Sequence, residues 1–84
     1  MTDDDIFERL AGVVRETFHV LPATRVLEET TSADINGWDS LSHAILIMRV
    51  EEEFGIELPI ERIYSLENVG ELAELVRSTL EERP

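Results

Sequence analysis

One short stretch combines residue types that can do chemistry: Asn36-Gly37-Trp38-Asp39-Ser40-Leu41. Asn36 and Gly37 form a turn, Asp39 can cap a helix, and Ser40 then takes the first helical position. At that position the free backbone N–H groups and the positive end of the helix dipole favour negative charge, so an anionic group at the serine oxygen would be stabilised. The same residues also make an ordinary capped helix start with a solvated serine, and on residue types alone both readings stand. Ser40, His43 and Asp39 do not make a hydrolytic triad, because an adjacent acid and serine cannot easily flank one imidazole and no G-x-S-x-G elbow is present. A calcium loop starting at Asp34 would need an oxygen ligand where Trp38 stands, places Gly37 one position early and ends on Ile45. Glu16 and His19 have Glu-x-x-His spacing, but a di-iron site needs two such pairs and His43 has Ser40 three residues before it. With no cysteine in the chain, thiolate metal sites, disulfides and thiol nucleophiles are excluded. Neither a catalytic residue nor a metal site is expected, and His43 reads as a surface residue close to Ser40.

The elements that must position Ser40 are helices. Thr2 followed by Asp3, Asp4 and Asp5 is a helix start, in which a side-chain oxygen caps free N–H groups and carboxylates complement the dipole. This first helix runs to about Phe18, with Ile6, Leu10, Val13, Val14 and Phe18 on one face and Phe7 and Ala11 beside them. From His19 to Trp38 the helical period fails, and Pro22, Thr24, Thr30, Thr31, Ser32, Asn36 and Gly37 supply turn chemistry. A connection this long in a small domain is usually functional, and Val20, Leu21, Val26, Leu27 and Ile35 are expected to pin it as an ordered strap. Asp39 opens a second helix from Ser40 to about Phe54, with Leu46, Ile47, Val50 and Phe54 inward and Gly55 ending it. A short helix is expected from Glu61 to Leu66. Asn68 and Glu71 then give the capping-box spacing of a last helix that buries Val69, Leu72, Ala73, Val76 and Leu80. The fold class is all-α: a four-helix bundle of three main helices and one short helix, with a long first loop and one domain over residues 1–84. Its core is expected from Ile6, Leu10, Val14, Phe18, Leu46, Val50, Phe54, Leu72 and Val76.

Charge narrows the choice of partners. The 84 residues hold seven Arg, no Lys and nineteen Asp plus Glu, a net charge of −12, and each half of the chain contributes −6. Such a chain repels nucleic-acid backbones and anionic headgroups, so basic protein surfaces are its natural complement. At 43% apolar residues it is hydrophobic enough to fold, unlike acidic disordered segments. Its size leaves little room for an internal catalytic cleft. The acidic opening is unlike a signal peptide, and the longest apolar run is five residues, Ala44 to Met48. A soluble, cytoplasmic and monomeric protein is expected, without membrane insertion.

The run Gly37-Trp38-Asp39-Ser40-Leu41, followed by Leu46-Ile47-Met48-Arg49-Val50-Glu51-Glu52-Glu53-Phe54-Gly55-Ile56-Glu57-Leu58-Pro59, resembles the acyl carrier proteins and related carrier domains. These share an Asp-Ser-Leu at the start of their second helix, and the resemblance extends over essentially the whole chain. It implies that Ser40 accepts 4′-phosphopantetheine from coenzyme A through a separate phosphopantetheinyl transferase, and that the arm's thiol carries acyl groups as thioesters. Asp39 would cap the helix and help the transferase position its metal and the serine. The resemblance also implies a partner-facing surface of Leu41, Ala44 and Met48, where flexible Met suits several partners. Glu51 and Glu52 would form its acidic part, with Asp39 at the other end, while Glu53 would be a solvated residue. Expected partners are an acyl-loading ligase or acyltransferase and a ketosynthase or other acyl-processing enzyme. Cargo would rest in a shallow, adaptable space between helices. Ser42, Ile45 and Arg49 stand where carriers of bacterial fatty-acid synthesis often have an acid, an acid and a small apolar residue, which favours a polyketide, lipid-modifying or other specialised pathway. Trp38 and His43 point the same way. Two alternatives remain at this level: an aminoacyl or peptidyl carrier, and an acidic interaction module without a prosthetic group.

Overall fold

A computed structural model describes residues 2–19 and 25–82. In it α1 spans Asp3–Phe18, α2 Ser40–Phe54, α3 Ile60–Ile63 and α4 Val69–Glu82, with one 3₁₀ turn at Ser32–Asp34. The fold is an all-α bundle of three long helices and one short one, with no strand among the described residues. Thr2 caps α1 reciprocally: its hydroxyl accepts from the Asp5 N–H at 3.2 Å, and the Asp5 carboxylate accepts from the Thr2 N–H at 3.2 Å. The other end of α1 is closed by His19 in the left-handed region (φ 53°), its N–H donated to the Arg15 carbonyl.

Helix α1 packs on both α2 and α4. The apolar faces expected from helical spacing meet there: Leu10, Val14, Leu46, Val50, Val69 and Val76 are each 0% exposed and Leu72 1%, but on α4 the unexpected Leu75 is buried at 1% while Ala73 and Leu80 are only half-buried against the core. Phe18 departs from the expected core. It is only half-buried and stacks on Trp38 with ring centroids 4.9 Å apart, closing the top of the bundle instead of filling its centre.

The strap is fastened differently from expectation. Val26 and Ile35 are buried, but Leu27 is 44% exposed. Leu27 instead opens a tight turn, in which its N–H donates to Thr30 Oγ1 at 2.9 Å and its carbonyl accepts from the Thr30 N–H at 3.1 Å. The neighbouring backbone does the fastening: the carbonyls of Thr30 and Glu28 accept from the Val69 and Gly70 N–H groups, each at 2.9 Å. Two of the four unpaired N–H groups that open α4 are thereby satisfied by the strap. Gly70 permits this approach, because a Cβ there would lie 3.0 Å from Glu28 Cβ and 3.1 Å from the Glu28 carbonyl oxygen. The expected pins Val20 and Leu21, with Pro22 and Thr24, lie outside the described residues.

Two boundaries also differ. Helix α3 covers Ile60–Ile63, not Glu61 to Leu66. Pro59, its φ fixed at −67°, starts the helix early, and Leu66 leaves it to pack half-buried against the core. At α4, Asn68 Oδ1 accepts from the Glu71 N–H at 2.8 Å, but the Glu71 carboxylate accepts from the Glu67 N–H at 3.1 Å. The capping box is therefore displaced by one residue on its return side.

Candidate functional site

Ile35, 8% exposed, anchors the approach to Ser40. The Trp38 N–H donates to the Ile35 carbonyl at 3.4 Å, closing a turn whose third residue is Gly37 at φ 87°. That backbone conformation favours glycine, while the space around Gly37 is open. The chain then becomes extended at Asp39, whose Oδ1 accepts from the Ser42 N–H at 2.9 Å and whose carbonyl accepts from the His43 N–H at 2.8 Å. This N-cap hydrogen bonding holds the Asp39 carboxyl below the ordinary aspartate range. Ser40 follows as the first residue of α2 and is exposed. A rigid 15-residue helix thus presents a solvent-facing hydroxyl at its positive end.

Beside Ser40 lies a pocket of about 230 Å³. Trp38, His43 and Tyr64 supply ring surfaces, Leu66 and Leu72 supply apolar ones, and Asp39 and Glu67 bring carboxylates. His43 is a half-buried link here, not the surface residue expected from the sequence. Trp38 Nε1–H donates to His43 Nδ1 at 3.0 Å, and His43 Nε2 stands 2.9 Å from the Ile63 carbonyl oxygen. An indole nitrogen can only donate, so Nδ1 accepts and the ring proton sits on Nε2, where it is donated to Ile63. One neutral tautomer satisfies both bonds and joins the strap, α2 and the end of α3.

Helix α2 turns a separate face outward. Leu41 is 73% exposed, Met48 60% and Ile45 41%, with Ala44 half-buried beside them and Glu52 exposed one turn beyond Met48. The expected acidic part of this face is thinner than the sequence suggests. Glu51 is half-buried, and its Oε2 accepts from the Leu58 N–H at 2.8 Å, fixing the loop into α3. Glu53 is not merely solvated: it accepts from Arg9 Nε at 2.9 Å, while Arg9 also reaches the Glu53 carbonyl at 2.7 Å and lies 4.7 Å above the Phe54 ring. Two exposed apolar residues, Ile60 opening α3 at 74% and Tyr64 just after its end at 66%, carry no expectation from the sequence. Their i, i+4 spacing is the only sequence signal, and a helix this short carries no periodic pattern to reveal it.

Residues 8–76 match the family model described as a phosphopantetheine attachment site. The chain is 33% identical over 78 residues to the acyl carrier protein of Thermosynechococcus vestitus, spanning 93% of this chain and 95% of that protein. It is 38% identical over 71 residues to the acyl carrier protein of Helicobacter acinonychis, spanning 84% and 90%. Among solved structures, the solution structure of holo acyl carrier protein from Geobacter metallireducens superposes with a TM-score of 0.80 at 32% identity, covering 94% of each chain.

Proposed function

The chain belongs to the phosphopantetheine-attachment family and is an acyl carrier protein, and from that premise we propose that Ser40 is the residue that bears the arm. Its prosthetic group is a covalently attached phosphopantetheine, whose terminal thiol, when present, holds an acyl group as a thioester. The protein is a carrier and not an enzyme; transferase and acyl-processing partners supply the reactions. The observation that supports Ser40 is its position: an exposed hydroxyl on the first residue of a long helix, directly after a capping Asp39 and beside a pocket large enough for part of an arm. A phosphodiester on Ser40 Oγ would lie at the positive helix end, and the capped first turn fixes the backbone that presents that oxygen to the transferase.

The domain, on this reading, spans residues 1–84 and works in the cytoplasm. Leu41, Ala44, Met48 and Glu52 meet the loading and processing enzymes, with Asp39 at the Ser40 end. Glu51 contributes chiefly by holding the loop that positions α3. Exposed ion pairs are individually worth roughly 0–1 kcal/mol, so acids on this face steer and orient short-lived complexes more than they hold them. The apolar, acid-poor face of α2, with Ile45 and Arg49 exposed on it, supports a specialised biosynthetic pathway over primary fatty-acid synthesis.

Incubation with coenzyme A and a broad-specificity phosphopantetheinyl transferase, followed by intact-mass measurement, tests the assignment. Wild type gains the mass of one phosphopantetheine and Ser40→Ala gains none. An unmodified wild type, or a modified Ser40→Ala, overturns it.

A further inference from the structure

Ser40 lies between two residues whose side chains meet. Trp38 precedes the N-cap Asp39, His43 is the fourth residue of α2, and Trp38 Nε1–H donates to His43 Nδ1 at 3.0 Å. Those two positions, just before a helix cap and one turn inside, are where an apolar pair often packs and so sets the angle at which the chain enters a helix. Here a directed hydrogen bond takes the place of the apolar contact. We propose that Trp38 is a positioning residue for arm attachment: through His43 it staples the first turn of α2 and keeps Ser40 in its helical presentation for the transferase. The inference rests on Ser40 as the attachment residue.

Three observations carry it. The backbone alone holds the approach to Ser40 loosely: the Trp38 N–H reaches the Ile35 carbonyl only at 3.4 Å, long for a hydrogen bond, and Gly37, at φ 87°, has open space around it. The indole is seated from another element, stacked on Phe18 at the end of α1 with ring centroids 4.9 Å apart. The acceptor is oriented as well, because His43 Nε2–H is donated to the Ile63 carbonyl at 2.9 Å and the Nδ1 lone pair is thereby left for Trp38. A first turn frays readily, since its N–H groups lack intrahelical partners. One net hydrogen bond across it shifts that opening equilibrium by about fivefold. A frayed turn does not present Ser40 productively, so its population dilutes the competent substrate: KM rises while kcat stays.

The test measures arm transfer from coenzyme A by a broad-specificity phosphopantetheinyl transferase, with amide hydrogen exchange read on the same proteins before loading. Trp38→Phe keeps the stack on Phe18 and loses the donor. Its Ser42 and His43 amides, both bonded to Asp39, exchange about fivefold faster, and it loads with KM raised about two- to fivefold at unchanged kcat. His43→Ala, which leaves the indole in place, shows the same loss, and the double variant loads no worse than either single one. His43→Asn, whose Oδ1 can accept where Nδ1 does, loads like wild type. The inference is overturned by a Trp38→Phe that loads and exchanges as wild type does, by a loss confined to kcat, by single losses that multiply in the double variant, or by a His43→Asn as slow as His43→Ala. If His43→Ala does not fold, Trp38→Phe and His43→Asn decide alone. A wild type that gains no arm on Ser40 overturns the attachment assignment instead, whereas a wild type loaded on Ser40 beside an equally loaded Trp38→Phe overturns only this inference.

Discussion

The two ends of the bundle are held together by different physics. Where α1 meets α2 and α4 the contact is aliphatic and dry, built from Leu10, Val14, Leu46, Val50, Leu72 and Val76, all at most 1% exposed. Around Ser40 it is aromatic and polar, running from Phe18 to Trp38, His43 and Tyr64 with directed hydrogen bonds. Burial of aliphatic surface is non-directional and supplies most of the stability. A hydrogen bond contributes little net free energy but fixes geometry. The first end therefore keeps the protein folded, while the second fixes where Ser40 lies.

Substitutions at the two ends should separate accordingly. Phe54→Ala removes a 6%-exposed ring and the surface beneath Arg9, and should cost about 3–5 kcal/mol by urea unfolding, enough to threaten so small a domain. Gly70→Ala should follow at about 1–3 kcal/mol, because the new methyl must push back the Glu28 backbone that caps α4. Trp38→Phe keeps the stack on Phe18 but removes the donor to His43, and should cost about 1 kcal/mol while shifting His43 and Ile63 resonances. A Trp38→Phe loss as large as that of Phe54→Ala would erase the proposed division between the two ends.

Acid should weaken the helix starts next. The Asp39 and Asp5 carboxyls sit below the ordinary value of 3.8 because Ser42 and Thr2 N–H groups donate to them. Unfolded chains therefore take up these protons first. The caps are at full strength above 3.8 and are lost as pH falls through the lower folded values. Melting temperature followed from neutral to acid should decline in that window, with a shallower slope in Asp39→Asn. The smallest effect belongs to Leu41→Ala and Met48→Ala, both on exposed positions, which should change stability by less than about 0.5 kcal/mol while slowing transfer by partner enzymes.

The same contrast explains what could be read from the chain. Apolar residues at helical spacing disclosed α1, α2 and α4, and the Asp39-Ser40 junction was visible because capping acts within three residues. His43 was misplaced because its partner is the Ile63 carbonyl, a backbone group 20 residues away with no residue-type signature. Glu51 reads as part of the partner-facing surface for the same reason, its structural role being defined by the distant Leu58 N–H. Leu27 was expected inside, although the strap is fastened to α4 by backbone carbonyls that any residue could provide. Long-range bonds to the backbone were the illegible part, and one of them, made by His43, borders the pocket beside Ser40.

The most direct test of the central claim is residue-level localisation of the arm. Tandem mass spectrometry of peptides from the transferase-treated protein should place phosphopantetheine on Ser40 alone, with no modified peptide from Ser40→Ala. An arm found on Ser32 or Ser42, or on any residue of the Ser40→Ala protein, would contradict the account.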